Sequence, residues 1–365
     1  MKIPTLNELF LPLVVAFVLT FIATPLVIAL AKRFNLIDDP KTHKHPAIVH
    51  KRPTPRGGGV AIAAGIIAAS LLFISLDKTL FMLLLAAAFA VIVGVLDDKY
   101  DLSPYLRFFS NFLVAAIVSL GGITVLFITN PLGTGVLSFA NLQIPFGMLG
   151  KDNIILLADL IAVIWIVWTM NMLNWSTGVN GQMPGIAAIS AITIGILSLR
   201  FSPLDEANLI TAKLSFITAG AALGFLPFNF PKAQIFPGYG GTIMGFMLAA
   251  LAILSGAKVA TALLVMGVPV VDAIFTIVRR ISTGHSPFRG DRGHFHHLLL
   301  AKGLDDWQIA LIYWSFSALL GVVALTLSSK EKFYAFLALT IVVVGGLLWL
   351  SLFTDKNENN RIAKK

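Results

Sequence analysis

Two adjacent carboxylates, Asp97 and Asp98, close a long apolar stretch, and Asp101 follows them in the run Asp97-Asp98-Lys99-Tyr100-Asp101. Neighbouring carboxylates at a helix end repel each other and cost stability unless a cation or a proton is shared. Mg²⁺ binding, phosphate chemistry and proton transfer are the uses open to such a pair; a solvated helix end in an ordinary loop is the plainer reading. The spacing alone is not specific, because prenyl-diphosphate enzymes hold Mg²⁺ with the same DDxxD string.

A second cluster lies in Asp291-Arg292-Gly293-His294-Phe295-His296-His297, flanked by Arg279, Arg280 and Arg289. Guanidinium and imidazole donors gathered in this way suit a diphosphate. A transition-metal site and a solvated loop are the alternatives. A third cluster, Asn171 to Gly181, is uncharged and rich in amide side chains, which fits recognition of a base or sugar as well as an ordinary turn. Gly57-Gly58-Gly59 follows Pro53, Pro55 and Arg56 and opens an apolar stretch. Glycines here serve either an anion at a helix N-terminus or a close helix crossing. Asp272 sits inside an apolar stretch near Pro269, seven residues before Arg279, as a functional acid or as half of a buried ion pair holding a broken helix. Asp159 reads as interfacial, without a role.

The elements that carry these groups belong in lipid. Of 365 residues, 57% are hydrophobic and 12% charged, against about 25% charged in an average soluble domain. Cysteine is absent, which excludes disulfides and thiolate metal sites. The net charge of +9 does not point to nucleic acid, because Lys and Arg sit at the ends of apolar stretches rather than along one helix face.

A bilayer core needs about 20 apolar helical residues. Eleven stretches qualify: 9–31, 58–77, 79–96, 108–129, 154–172, 183–199, 211–227, 242–256, 258–278, 308–328 and 332–353. Merging the eighth and ninth across Ser255-Gly256 would leave ten. The expected fold is therefore an all-α polytopic bundle, with one membrane domain over 1–353 and a polar, basic tail over 354–365. The first stretch is too long for a signal-peptide core and is expected to stay as an anchor. Counted by loop, 19 of the 27 Lys and Arg fall on one side and seven on the other. The positive-inside rule then puts the N-terminus outside and the C-terminus in the cytoplasm. By that parity every polar cluster above faces the cytoplasm. Small residues in many spans permit close packing within one chain or between two copies, which leaves a homodimer open.

Taken in order, the clusters resemble the polyprenyl-phosphate N-acetylhexosamine-1-phosphate transferase superfamily, which includes the phospho-MurNAc-pentapeptide translocases. The resemblance is carried by His50-Lys51-Arg52-Pro53-Thr54-Pro55-Arg56 with its three glycines, Asp97-Asp98 with Asp101, the asparagine loop, Phe236-Pro237-Gly238, and Ser286-Pro287-Phe288 leading to the histidines. It implies transfer of a sugar-1-phosphate from a UDP-sugar to a polyprenyl phosphate with release of UMP, in the cell membrane, as the first membrane step of cell-envelope glycan synthesis. It further implies Mg²⁺, with Mn²⁺ as an alternative. Asp97 would position or deprotonate the acceptor phosphate, and Asp98 would organise the metal or a proton path. Lys51, Arg56, Arg292, His294, His296 and His297 would bind phosphates. Asn174 would lie beside the diphosphate, Asn180 would contact substrate, and Phe236 would stack on uracil.

Three positions depart from that family's pattern. Thr177, Asn180 and Tyr239 stand where acids are expected, Tyr239 at the place of a metal-ligating Asp. A phenol with a pKa near 10 is a poor Mg²⁺ ligand at neutral pH, which leaves Asp97, Asp98 and the substrate diphosphate to hold a metal. A non-catalytic relative that binds lipid-phosphate or UDP-sugar is the second functional reading, and a transporter built on the Pro269 break is the third.

Overall fold

The computed structural model describes residues 6–42, 49–148, 151–200, 204–256, 259–287 and 290–362. After α1 (Leu6–Arg33), a short antiparallel pair, β1 (Ile37–Asp38) with β2 (Thr54–Pro55), leads into α2 (Gly58–Phe73), α3 (Lys78–Tyr100) and α4 (Pro104–Leu120). Two hairpins follow, β3 (Phe127–Thr129) with β4 (Val136–Ser138) and β5 (Gln143–Met148) with β6 (Lys151–Ile155). Then come α5 (Leu156–Trp175), α6 (Gln182–Ser198), α7 (Glu206–Asn229), α8 (Thr242–Leu254), α9 (Val259–Val265), α10 (Gly267–Ser282), α11 (Phe295–Ala301), α12 (Asp306–Thr326) and α13 (Ser329–Ile362). The polar stretch expected as a separate tail begins as the end of α13; residues 363–365 lie outside the described residues.

Each of the eleven apolar stretches falls on helix, and the hairpins are the departure from an all-α bundle. The stretch 108–129 does not stay helical to its end, because α4 stops at Leu120 before Gly121-Gly122, with Gly122 at φ +94°. The β-rich segment beyond it closes into strands instead. Among the described residues six helices are long and apolar enough to cross a bilayer, and α9 with α10 makes a seventh if that pair, bent by 83°, is one span. The break sits at Met266. Pro269 explains it: proline lacks an N–H and its ring clashes with the carbonyl four residues back, here Val265, the last residue of α9.

The core is organised around α8, in which every residue from Thr242 to Ile253 is buried. A helix that is apolar all round is buried on all sides. Its 13 residues rise about 20 Å, less than a bilayer core, and it meets protein rather than lipid. Around it, α1 packs along α7 and α2, and α5 along α8. Gly220 and Gly224 set the α1–α7 distance, since a Cβ at either would collide with the backbone of Leu13 or Phe17. Alanine there would overpack the crossing at a cost of about 1–3 kcal/mol. At the hairpin end, Lys151 and the buried Asp159 form an ion pair with Nζ–Oδ1 2.7 Å. The hairpins join the end of α4 to the start of α5, while the other ends of both helices meet at a polar cavity.

Candidate active site

That cavity, about 540 Å³, is lined by residues from all five sequence clusters. Of the predicted site residues, Arg56, Asp97, Asp98, Asn174, Asn180, Phe236, His294, His296 and His297 line it, whereas Lys51 and Arg292 are exposed and do not. Phe288 and Arg289 lie outside the described residues.

The acid pair ends α3, where the helix dipole disfavours negative charge. Asp101 terminates that helix in a left-handed conformation, φ 48°. Ser103 then caps α4 by accepting from the Leu106 N–H, and Pro104 takes the first helical position. This tight turn folds Arg107 back onto the acids. Its Nε donates to Asp97 Oδ1 and its Nη2 to Asp101 Oδ1, both at 2.5 Å. Asp97 is thus buried and neutralised. Asp98 is placed differently: Oδ1 accepts from the Tyr239 N–H at 3.0 Å, and its buried Oδ2 has no hydrogen-bond partner among the described residues. Gly238, at φ +65°, gives that oxygen its space, because a Cβ there would collide with it.

Tyr239 does not present its phenol as a ligand. The hydroxyl donates to the Arg107 carbonyl at 3.1 Å, and the Arg107 guanidinium lies 5.6 Å from the ring centre.

The glycine run is a crossing point, not an anion site. The Gly58 and Gly59 N–H groups donate to the carbonyls of Phe236 and Pro237 at 3.0 and 2.8 Å, while the Phe236 N–H donates to Pro55. These bonds clamp the Arg56 segment to the Phe236 turn. Arg56 Nη2 donates to Asp38 Oδ2 at 2.5 Å, and Phe236 meets the His50 ring at 4.9 Å. Asn229 fastens the asparagine loop to the same turn: Oδ1 accepts from the Gly181 N–H and Nδ2 donates to the Ile235 carbonyl. Thr177 donates its hydroxyl to the Asn174 carbonyl, so that side chain is engaged locally.

The histidine cluster is ordered by α10. Arg279 and Arg280 both bind Asp291. Burial by itself would raise the Asp291 carboxyl, but hydrogen bonds from Arg280 and the Gly293 N–H, with the Arg280 charge and Arg279, hold it well below the usual carboxylate range. Asp272 does not pair with Arg279; its Oδ2 lies 2.8 Å from His294 Nδ1 and its Oδ1 accepts from the Phe295 N–H at 2.8 Å. Burial and the neighbouring His297 and His294 push the His296 imidazole well down. Burial, His294 and Arg292 push His297 down to about 4. At neutral pH both rings are neutral, with one N–H donor each.

Among the described residues, the charged lining residues that escaped the sequence reading are Asp38, Arg107 and Asp306. Arg107 carried a faint signal, being a lone cation at a Ser-Pro helix start just after a run of acids. Asp38 and Asp306 carried none. Among the described residues six carboxylates (Asp38, Asp97, Asp98, Asp101, Asp291, Asp306) and three guanidiniums (Arg56, Arg107, Arg280) line the cavity. Asp38, Asp97, Asp101 and Asp291 are held in ion pairs with Arg, and Asp306 accepts from backbone N–H groups. Asp98 is left with one oxygen that calls for a cation or a proton.

Residues 80–256 match the model of glycosyl transferase family 4. The chain is 31% identical over 361 residues to the decaprenyl-phosphate N-acetylglucosaminephosphotransferase of Mycobacterium leprae, covering 90% of this chain and 85% of that protein. It is 28% identical to the probable undecaprenyl-phosphate N-acetylglucosaminyl 1-phosphate transferase of Bacillus subtilis, covering 93% and 91%. Against the undecaprenyl-phosphate alpha-N-acetylglucosaminyl 1-phosphate transferase of Thermotoga maritima the identity is 27%, covering 94% and 98%.

Proposed function

The chain belongs to glycosyl transferase family 4, and from that premise we propose that it is an enzyme moving a sugar-1-phosphate, N-acetylhexosamine-1-phosphate by its relatives' names, from a UDP-sugar onto polyprenyl phosphate. The observation that carries this reading is the convergence on one cavity of guanidiniums, amides and a carboxylate oxygen that has no partner among the described residues.

In the reaction an oxygen of the acceptor phosphate bonds to the phosphorus that bears the sugar. The bond from that phosphorus to the bridging oxygen breaks, and UMP leaves with the electron pair. Charge developing on the phosphoryl oxygens is met by Arg56 from the segment before α2, Arg107 from α4 and Arg280 from α10, all lining the cavity. Asp97 holds Arg107 in place and is not required as a strong base, because a phosphate monoester with a second pKa of about 6 is largely ionised at pH 7. Asn174, Asn180 and Trp175 offer amides and an aromatic face to the sugar and base, and Phe236 offers a second ring.

The donor set fits Mg²⁺, with Mn²⁺ as the alternative. Mg²⁺ commonly takes one or two carboxylates with substrate phosphates and keeps several waters. Asp98 Oδ2 would hold it, and when bound it would neutralise the diphosphate. The substitution at Tyr239 leaves this pattern intact, because the phenol is already used behind the site.

The same reading sets the chain in the cell membrane with eleven crossings, the N-terminus outside, and the cavity and C-terminus on the cytoplasmic side. The distribution of Lys and Arg supports this orientation. Because the chain has no cysteine, Arg52→Cys and Thr134→Cys can each be labelled from one side of intact cells. Labelling of Thr134→Cys but not Arg52→Cys from outside is expected; the reverse pattern would invert the topology.

The activity test is UMP release by purified protein given polyprenyl phosphate, a panel of UDP-sugars and Mg²⁺ or Mn²⁺, with Asp98→Asn as control. Release that needs the lipid acceptor and disappears in the control is expected. Binding of donor or acceptor without turnover by any donor would replace this reading with that of a non-catalytic relative.

A further inference from the structure

Asp272 is a buried acid with an environment of its own. It projects from α10 just past the Met266 break, and both its oxygens are used by the start of α11: Oδ2 by His294 Nδ1 and Oδ1 by the Phe295 N–H, each at 2.8 Å. An ionised carboxylate only accepts hydrogen bonds. His294 must therefore carry its proton on Nδ1, with Nε2 left as an acceptor. Nε2 lies 3.5 Å from Arg280 Nη2, a donor, which again suits a bare nitrogen there. His294 lines the cavity. Its ring is stacked on His296 at 5.6 Å and lies 6.0 Å from Trp175.

We propose that Asp272 is a positioning residue: it fixes His294 as the Nδ1–H tautomer, so that Nε2 takes the proton of an acceptor phosphate monoester that arrives as its monoanion. This rests on the transferase reading above. In the step, the phosphate O–H bond breaks, the proton passes to Nε2, and the freed phosphate oxygen keeps the electron pair with which it attacks. The imidazolium so formed keeps its Nδ1–H on Asp272, the arrangement by which a buried carboxylate stabilises a charged imidazole in hydrolytic triads.

The charged and titratable groups around His294 are Asp272 and Arg280 on α10, His296 and His297 on α11, Asp291 held through Arg280, and Tyr313 on α12 beside Asp272. Among the described residues Asp272 is the acid in direct contact with the ring. The consequence is a pH signature. Near pH 8 the phosphate is already a dianion and needs no base, whereas near pH 6 about half of it carries a proton. The dyad therefore matters most at the lower pH.

Two measurements test this. In ¹⁵N-histidine-labelled protein, with His294 assigned by His294→Gln, Nδ1 is expected to be protonated and Nε2 bare, and Asp272→Asn to disturb that pattern because its amide can donate to Nδ1. A bare Nδ1 in the wild type, or a tautomer unchanged in Asp272→Asn, overturns the assignment whether or not the protein turns over. In UMP release, Asp272→Asn is expected to lose about 10–100-fold at pH 6 and clearly less at pH 8, to add nothing to His294→Gln, and to be partly rescued by Asp272→Glu. Equal losses at both pH values, or losses that add, would make Asp272 an anchor for the α11 start and nothing more. Asn keeps an oxygen for the Phe295 N–H; should Asp272→Asn still fail to fold, the pH profile of His294→Gln decides the proton step. No turnover in the wild type overturns the transferase reading and the proton step together, while the tautomer measurement still stands alone.

Discussion

Two carboxylates at opposite ends of the molecule, Asp159 buried and Asp98 half-buried, show how the chain separates holding from acting. Asp159 sits in the first turn of α5, where the helix dipole favours an anion. Its oxygens accept from Lys151 Nζ at 2.7 and 2.8 Å, from Ser119 Oγ, and from the Ile155 N–H; Lys151 also donates to the Ser119 carbonyl. Every partner is present. Asp98 ends α3, where the dipole disfavours an anion, and one of its oxygens has no partner among the described residues. A satisfied buried charge fixes a hairpin to a helix; an unsatisfied one stores a demand that a ligand can meet. The same contrast separates Asp97, which Arg107 satisfies, from its neighbour.

The largest effect is expected where the satisfied pair is halved. Asp159→Asn leaves the Lys151 ammonium buried without its counter-ion, a loss of about 3–5 kcal/mol. It should appear as a fall in thermal midpoint in detergent, with UMP release per folded molecule unchanged. Loss of turnover at an unaltered midpoint would break the contrast. Asp98→Asn should do the opposite, lowering turnover by about 10²–10³-fold while the midpoint holds or rises, because an uncompensated charge has been removed. A lower midpoint with normal turnover would mean that Asp98 is structural after all.

A smaller effect is expected from pH. The folded His297 titrates at about 4 and its ordinary value is 6.5, so between those values the unfolded chain binds a proton that the folded loop refuses. Stability therefore falls as pH drops through that window, and His296 acts in the same direction. Asp291 takes over lower down: its depressed carboxyl contributes stability above its ordinary value of 3.8, and this is lost as pH falls further. Between pH 6.5 and 4 the thermal midpoint of the wild type should lose more, or gain less, than that of His297→Gln. Parallel curves would show that the imidazole is not excluded from protonation.

How far these features were legible in the sequence follows from the range over which each signal acts. The α8 core helix and the break near Pro269 are local, written in unbroken apolarity and in one ring that cannot continue a helix from the turn before it. The gathering of the polar clusters was legible through loop parity, because alternate loops of a membrane bundle share a face. Partners were not legible. Arg107 reaches Asp97 and Asp101 only because a tight turn reverses the chain between them. Asp272 finds His294 across 22 residues, and Asn229 finds Gly181 across 48. Lys51 and Arg292 each lie beside a lining residue, His50 and Asp291, without lining the cavity themselves, a difference of one position that composition does not resolve. For Gly57 to Gly59 composition allowed two uses, and only the carbonyls of Phe236 and Pro237 decide between them.

Tyr239 gives the smallest expected effect and the sharpest check on which oxygen is the open one. By the family pattern an acid is expected there, so a phenol acting in its stead would make Tyr239→Phe as damaging as Asp98→Asn. The geometry argues otherwise. The Tyr239 hydroxyl is spent on the Arg107 carbonyl, which also accepts from Ser110 Oγ at 2.7 Å and is not orphaned when the phenol is lost. The Tyr239 contact that matters to the site is its backbone N–H on Asp98 Oδ1, which Phe retains. Tyr239→Phe should therefore cost about 1 kcal/mol of stability, leave turnover within a few-fold of wild type, and leave its dependence on Mg²⁺ or Mn²⁺ concentration unchanged. A large loss of turnover, or a shift in that metal dependence, would move the unsatisfied charge of the site from Asp98 toward Tyr239 and undo the contrast with Asp159.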